Sequence, residues 1–244
     1  MSRRIVLILG GRSDIGRSVA HQFAKAKYDI YLAARDVKSL ESDKQDLEIR
    51  YGIGVTLYEF DALSIGSHRD FVDKLPALPD VALCSIGYLG EQLANQKNVA
   101  EAIRVIRSNY EGPASIMSEL ANKFENRKSG TLIGISSVAG VRGRASNYIY
   151  GSAKAGFTNF LSGLRNRLAK SGVNVITVLP GYVDTKMTKS LNLPKFLTIS
   201  ADDLAASIFA GSIKKQEVII SKRWLLICTV LRFIPEKLFK NLSI

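Results

Sequence analysis

Seven short apolar runs separated by helix-like segments constrain this chain more than any other feature. The runs span residues 5–9, 30–34, 55–60, 81–86, 132–136, 173–179 and 218–221. They are rich in Val, Ile and Leu and mostly do not alternate with polar residues. That is the pattern of strands covered on both faces. Segments with helical character lie between them at 15–27, 37–51, 67–74, 98–126, 148–171 and 202–212. On the segment 148–171, Phe157, Phe160, Leu161, Leu164 and Leu168 make one apolar stripe, which belongs to a core or a subunit interface. This alternation predicts an α/β fold: a doubly wound, mostly parallel seven-stranded sheet with right-handed crossovers and helices on both faces. With 244 residues, 46% of them hydrophobic, and no Pro/Gly/Ser-rich linker, the chain divides into one domain at 1–222 and a tail at 223–244.

Several chemistries are disfavoured at once. Cys84 and Cys228 form no CxxC pair, and two cysteines do not make a disulfide scaffold, so a reducing, cytoplasmic setting is expected. His21 and His68 lack ligand spacing, so neither a metal site nor a Ser/His/Asp triad is expected. The apolar run at 5–9 follows basic residues but is too short for a secretory signal and reads as a buried first strand. The net charge of +12 favours anionic partners, yet no nucleic-acid motif is present and nucleic acid is not an expected partner.

The first run leads into Leu9-Gly10-Gly11-Arg12-Ser13-Asp14-Ile15-Gly16, and a helix follows. Glycines allow a tight turn and close backbone approach to phosphates, and a helix N-terminus offers free N–H groups and partial positive charge. The turn is therefore a candidate pyrophosphate cradle of a Rossmann-type fold. After the second run come Ala34-Arg35-Asp36, where such a fold meets the adenosine ribose. Arg35 leans toward a 2′-phosphate and hence NADP. Alternatively, Arg35 stacks on adenine and Asp36 reaches the ribose. Asp61, after the third run, is either an acceptor for the adenine amino group or a helix cap.

Residues 131–156 carry the chemistry. A buried strand ends in Ser136-Ser137, and Tyr150 and Lys154 stand four apart on one face of the next helix. A free tyrosine has a pKa of about 10, and a neighbouring ammonium lowers it, so Tyr150 can protonate a carbonyl oxygen as hydride arrives. A serine at the strand end can hold the same oxygen. This combination resembles the short-chain dehydrogenase/reductase family over roughly residues 3–220. The resemblance makes Ser137, Tyr150 and Lys154 catalytic, with Lys154 also holding the nicotinamide ribose. It makes Asn109 the support of a water relay to Lys154. Gly87, and Pro180, Gly181, Val183 and Thr185 in the 179–185 segment, become cofactor contacts alongside Gly10, Arg12, Ser13, Asp14, Ile15 and Gly16. It implies NAD(P), with NADP favoured, and a homodimer or homotetramer. Ser136 is expected to be structural, and Tyr148 a surface or pocket-wall residue.

Two segments depart from the family pattern. Asp14 stands where the middle glycine is usual, which suits phosphates only if its carboxylate points away, as a helix cap would. Cys84-Ser85-Ile86-Gly87 replaces the usual Asn-Asn-Ala-Gly. These departures resemble the branch that reduces polyprenyl-phosphate-linked 2-keto-pentose in cell-envelope polysaccharide synthesis, with a flavin oxidase as partner. The tail adds an apolar run at 224–231, too short for the roughly 20 residues of a membrane span. Beyond it, Arg232, Glu236 and Lys240 are spaced to share one helical face. Basic residues with Trp and Phe suit an amphipathic helix on a membrane surface, at the inner face of the cell membrane. A helix packed over the pocket or against a second subunit fits equally. The loop 186–198, with Met187, Leu191, Leu193 and Phe196, is expected to cover the substrate. A steroid or other hydrophobic carbonyl compound, or a dinucleotide-binding regulator without turnover, are the alternatives.

Overall fold

The computed structural model describes residues 3–189 and 191–242. The first two residues, Ser190 in the 186–198 loop, and the last two residues of the tail lie outside the described residues. In chain order the elements are β1 (Ile5–Leu9), α1 (Asp14–Lys25), β2 (Asp29–Ala34), α2 (Glu41–Tyr51), β3 (Val55–Glu59), α3 (His68–Asp73) and β4 (Val81–Cys84). There follow α4 (Gln92–Asn95), α5 (Val99–Ile106), α6 (Gly112–Arg127), β5 (Gly130–Ile135), α7 (Tyr148–Leu168) and β6 (Val173–Val178). The chain continues with β7 (Tyr182–Asp184), β8 (Thr198–Ser200), α8 (Ala201–Ile213), β9 (Val218–Ile219), α9 (Lys222–Phe233) and α10 (Glu236–Phe239).

Seven strands make one sheet in the order β3-β2-β1-β4-β5-β6-β9, all pairs parallel. The predicted doubly wound sheet is the one observed. Side chains alternate across each strand, so β1 feeds both faces: Val6 and Ile8 pack with Phe23, Leu47 and Ile208, while Leu7 and Leu9 pack with Met117, Phe124 and Phe157. Two apolar layers therefore sandwich the sheet. The stripe on α7 belongs to the second layer, so of its two readings the core is the correct one; Phe160 packs at its margin.

The chain crosses from β3 to the far side of β1 when it enters β4. Such a switch opens a crevice at the carboxyl ends of the two central strands, where ligands of open α/β sheets bind. Gly10 and Ser85 stand at that crevice, joined through Ser85 N donating to Leu9 O at 2.9 Å.

Three local features differ from expectation. The long segment 98–126 is not one α-helix. A π-helical turn over Arg107–Glu111 interrupts it and carries Asn109. A small parallel pair, β7 with β8, closes the loop that begins after Gly181. In the tail, Ile234 leaves helical geometry (ψ 123°) and Pro235 follows, so Arg232, Glu236 and Lys240 do not share one helical face.

The tail is packed on the domain through one face of α9. Trp224 and Cys228, one turn apart, are buried with Val138 and Tyr182. The Trp224 indole lies so close to Gly181 that a Cβ there would stand 1.8 Å from Nε1. Arg142 donates to the carbonyls of Leu231 and Ile234, pairs with Glu236 at 2.7 Å and stacks on Phe239 at 3.7 Å. Both cysteines are buried and free, and among the described residues no cluster of His, Cys, Asp and Glu could hold a metal.

Candidate active site

The end of β5 and the start of α7 build the centre. Ser136 is buried and ties the two elements together: its hydroxyl donates to Lys154 O at 2.9 Å and meets Thr158 Oγ1 at 2.6 Å. It is structural, as its place in the strand suggested. Ser137, the next residue, stands close enough to the Tyr150 hydroxyl to lower its pKa. Its Oγ accepts from Ala139 N at 3.1 Å, which fixes the serine rotamer. One turn along α7, Lys154 is buried and donates from Nζ to Ile135 O at 2.9 Å. That nitrogen sits 5.8 Å from the centre of the Tyr150 ring.

The electrostatics differ from the simple expectation that Lys154 lowers Tyr150. Burial dominates and pushes the Tyr150 phenol up to about 12, opposed by the Ser137 hydroxyl. Burial likewise pulls Lys154 down to about 8, opposed by Cys84. Desolvation disfavours each charged form, and Lys154, whose ammonium donates to Ile135 O, does not reverse it at Tyr150.

Asn109 is fully buried in the π-helical turn, a geometry that recurs at functional sites. Its Nδ2 donates to Tyr88 O at 2.6 Å and Val105 O at 2.8 Å, and its Oδ1 accepts from Tyr88 N at 3.2 Å. It thus clamps the segment after β4. A Cβ on Gly87 would lie 3.0 Å from Asn109 Oδ1, 3.6 Å from Lys154 Nζ and 3.9 Å from Met187 Cε. The absent side chain at 87 lets those three groups close around one point, a candidate catalytic chamber beside Lys154 Nζ.

The glycine turn after β1 is tightly packed, as a candidate pyrophosphate cradle requires. Gly10 has φ +89°, and a Cβ on it would meet Ser85 Oγ at 2.9 Å. A Cβ on Gly16 would meet Gly10 O at 2.6 Å. Ser13 caps α1 by accepting from Gly16 N at 2.9 Å, so Asp14 is not the cap. Asp14 is the first helical residue, and its carboxylate accepts from Lys186 N at 2.7 Å. Arg12 and Arg35 are exposed at the ends of β1 and β2. Arg12 holds Asp36 at 3.4 Å, and the backbone N–H groups of Asp36 and Val37 donate to Glu59. Asp36 is therefore directed to Arg12. Asp61 caps a turn, not a helix, by accepting from Leu63 N at 3.0 Å.

The sequence reading assigned no role to Ser85, whose Oγ bonds Leu9 O, Gly10 O and Ser13 Oγ and knits the cradle together. A polar residue directly after a buried strand was the available signal. Beyond the chamber, Val183 is buried in β7, and Thr188 Oγ1 donates to Val183 O at 2.6 Å and to Thr185 O at 3.1 Å. Pro180 O accepts from Val138 N at 3.1 Å, which joins the 179–185 segment to the serine loop.

The chain belongs to the short chain dehydrogenase family, whose pattern it matches over residues 4–195. It is accordingly an NAD(P)-dependent oxidoreductase. An uncharacterized oxidoreductase of Mycobacterium tuberculosis is 34% identical over 217 residues, covering 88% of this chain and 86% of that one. The NADP-dependent 3-hydroxy acid dehydrogenase of Schizosaccharomyces pombe is 26% identical over 233 residues, covering 89% and 90%. The short-chain dehydrogenase of Sphingobium yanoikuyae in complex with NADPH superimposes with a TM-score of 0.79 at 22% identity, covering 98% of this chain and 96% of that one, a likeness of fold.

Proposed function

We propose that the protein is an NADP(H)-dependent carbonyl reductase, or alcohol dehydrogenase in the reverse direction, acting on a lipid-linked sugar. The carrying observation is Tyr150 one helical turn from buried Lys154, whose Nζ lies 5.8 Å from the phenol ring and donates to Ile135 O, with Ser137 at the adjoining end of β5. Bound NADPH supplies hydride. Gly10, Arg12, Ser13, Ile15 and Gly16 receive its pyrophosphate at the first turn of α1, with Asp61 toward adenine and Gly87, Pro180, Gly181, Val183 and Thr185 toward the nicotinamide end. Arg12 and Arg35 flank the adenosine ribose, and with Asp36 directed to Arg12 they favour a 2′-phosphate.

Ser137 and Tyr150 hold the substrate oxygen from one side. Burial keeps the Tyr150 phenol protonated across neutral pH, so its proton is present to be given as the oxygen gains charge. Lys154, mostly charged at pH 7 with its value near 8, faces the phenolate that remains. It also holds the nicotinamide ribose. Asn109 positions the Tyr88 backbone and supports a water relay past Lys154 that returns a proton from solvent to the Tyr150 phenolate.

A lipid-linked substrate is supported by the surface of the 186–198 loop and the tail. Met187, Leu191 and Phe196 are exposed on that loop. Arg223 donates to Phe196 O and Trp224 Nε1 to Leu197 O, so α9 and this loop share one surface. The outer face of α9 exposes Leu225, Leu226, Val230 and Phe233 among Lys222, Arg223 and Arg232. Among the described residues no helix is long and apolar enough to cross a membrane. The tail therefore rests on an anionic bilayer at its cytoplasmic face, held by apolar side chains ringed with cations. A flavin oxidase supplies the keto-pentose in this reading, and the product serves cell-envelope polysaccharide synthesis. Exposed Val99, Ile103 and Ile106 on α5 support a homodimer or homotetramer.

The test is NADPH oxidation with a polyprenyl-phosphate keto-pentose in anionic vesicles, against soluble ketoses and steroids. Preference for the lipid-linked ketose supports the reading. Efficient turnover of steroid alone moves the substrate to a free hydrophobic carbonyl compound.

A further inference from the structure

We infer that Asp14 is a positioning residue that latches the segment after β7 to the phosphate-binding turn and so sets Met187 over the catalytic chamber. The inference rests on the cofactor reading of that turn. Asp14 Oδ2 accepts from Lys186 N at 2.7 Å, across 172 residues of sequence. The carboxylate is free for this because Ser13 already caps α1. The next residue, Met187, places its Cε 3.9 Å from where a Gly87 Cβ would stand, in the space bounded by Lys154 Nζ and Asn109 Oδ1. One backbone hydrogen bond therefore fixes the residue before the one whose side chain reaches the Gly87 corner beside Lys154 and Asn109.

The segment is otherwise held mainly to itself. Thr188 N donates to Thr185 O at 3.0 Å, Thr185 N donates to Thr188 Oγ1 at 3.2 Å, and Leu191 N donates to Thr188 O at 2.9 Å. Those bonds shape a turn but do not dock it on α1; Asp14 does. Asp14 replaces a glycine of the family pattern, and glycine has no acceptor to offer. The carboxylate also brings a negative charge to the helix end that receives the cofactor's phosphates, where anions already compete for the same partial positive charge. The latch thus trades cofactor affinity for an ordered roof over the chamber.

Acceptor and charge can be separated. Asp14→Ala removes both, while Asp14→Asn keeps the acceptor and removes the charge. Hydrogen exchange of the segment 185–189 is read in the protein without cofactor, and NADPH affinity by direct titration. Asp14→Ala should speed exchange there about fivefold, the equivalent of one exposed hydrogen bond, with a raised KM for the carbonyl substrate. Asp14→Asn should keep exchange near wild type and tighten NADPH about threefold. Unchanged exchange in Asp14→Ala, or an Asn variant that behaves like Ala, overturns the latch. Exchange is read without turnover, so a wild-type protein that fails to bind NADPH would refute the cofactor reading while leaving the latch to be decided by exchange alone.

Discussion

Replacing Lys154 by Met should stabilise the fold while abolishing its chemistry. Lys154 is 3% exposed, and burial holds it near 8 instead of 10.5. At roughly 1.4 kcal/mol per tenfold, the folded state bears about 3 kcal/mol for keeping that ammonium charged at pH 7. Met fills similar space without charge but forfeits the 2.9 Å charge-assisted bond to Ile135 O, worth about 2 kcal/mol. The net gain is about 1 kcal/mol, a shift of roughly 0.5 M in the urea midpoint. The gain depends on pH. Below pH 8 both folded and unfolded Lys154 are protonated and the full penalty is present. From 8 toward 10.5 the folded lysine is neutral while the unfolded one still binds a proton, so the wild type recovers stability as pH rises. The advantage of Lys154→Met should therefore vanish near pH 10. Urea unfolding followed by circular dichroism at pH 7 and pH 10 reads both. A Met variant no more stable at pH 7, or one with the same advantage at both pH values, would refute the reasoning.

Two further outcomes follow from the packing. Gly181→Ala should dislodge the tail, because its methyl would meet the Trp224 indole. Trp224 fluorescence in the single variant should shift to a solvated spectrum, and adding Trp224→Ala should lower the melting temperature far less than it does in the wild type, because the indole has already left its site. Deleting residues 224–244 should move the protein off anionic vesicles in a flotation assay; unchanged partitioning contradicts the membrane surface.

The sheet was legible because its strands are buried on both faces and so read as unbroken apolar runs. The candidate catalytic group could be read because Tyr150 and Lys154 share a helical face and Ser137 follows a strand end, all local relations. What the sequence hid is long-range or depends on backbone detail. The contact of Asp14 with Lys186 joins residues whose proximity only the closed sheet creates. The π-helical turn at Asn109 inserts one residue into a pattern that otherwise reads as continuous helix. The break at Ile234 was signalled by Pro235, but the charge spacing of the tail outweighed it in the reading. The direction of the Tyr150 shift depends on how deeply the phenol is buried, which spacing alone does not show.

The central claim, that Tyr150 gives the proton at an NADP(H)-dependent carbonyl site, is tested most directly by single-turnover NADPH oxidation in Tyr150→Phe. The ring and its packing are kept and only the hydroxyl is lost. The rate should fall by at least about a hundredfold, with NADPH binding unchanged. A variant that retains the full rate would contradict the account.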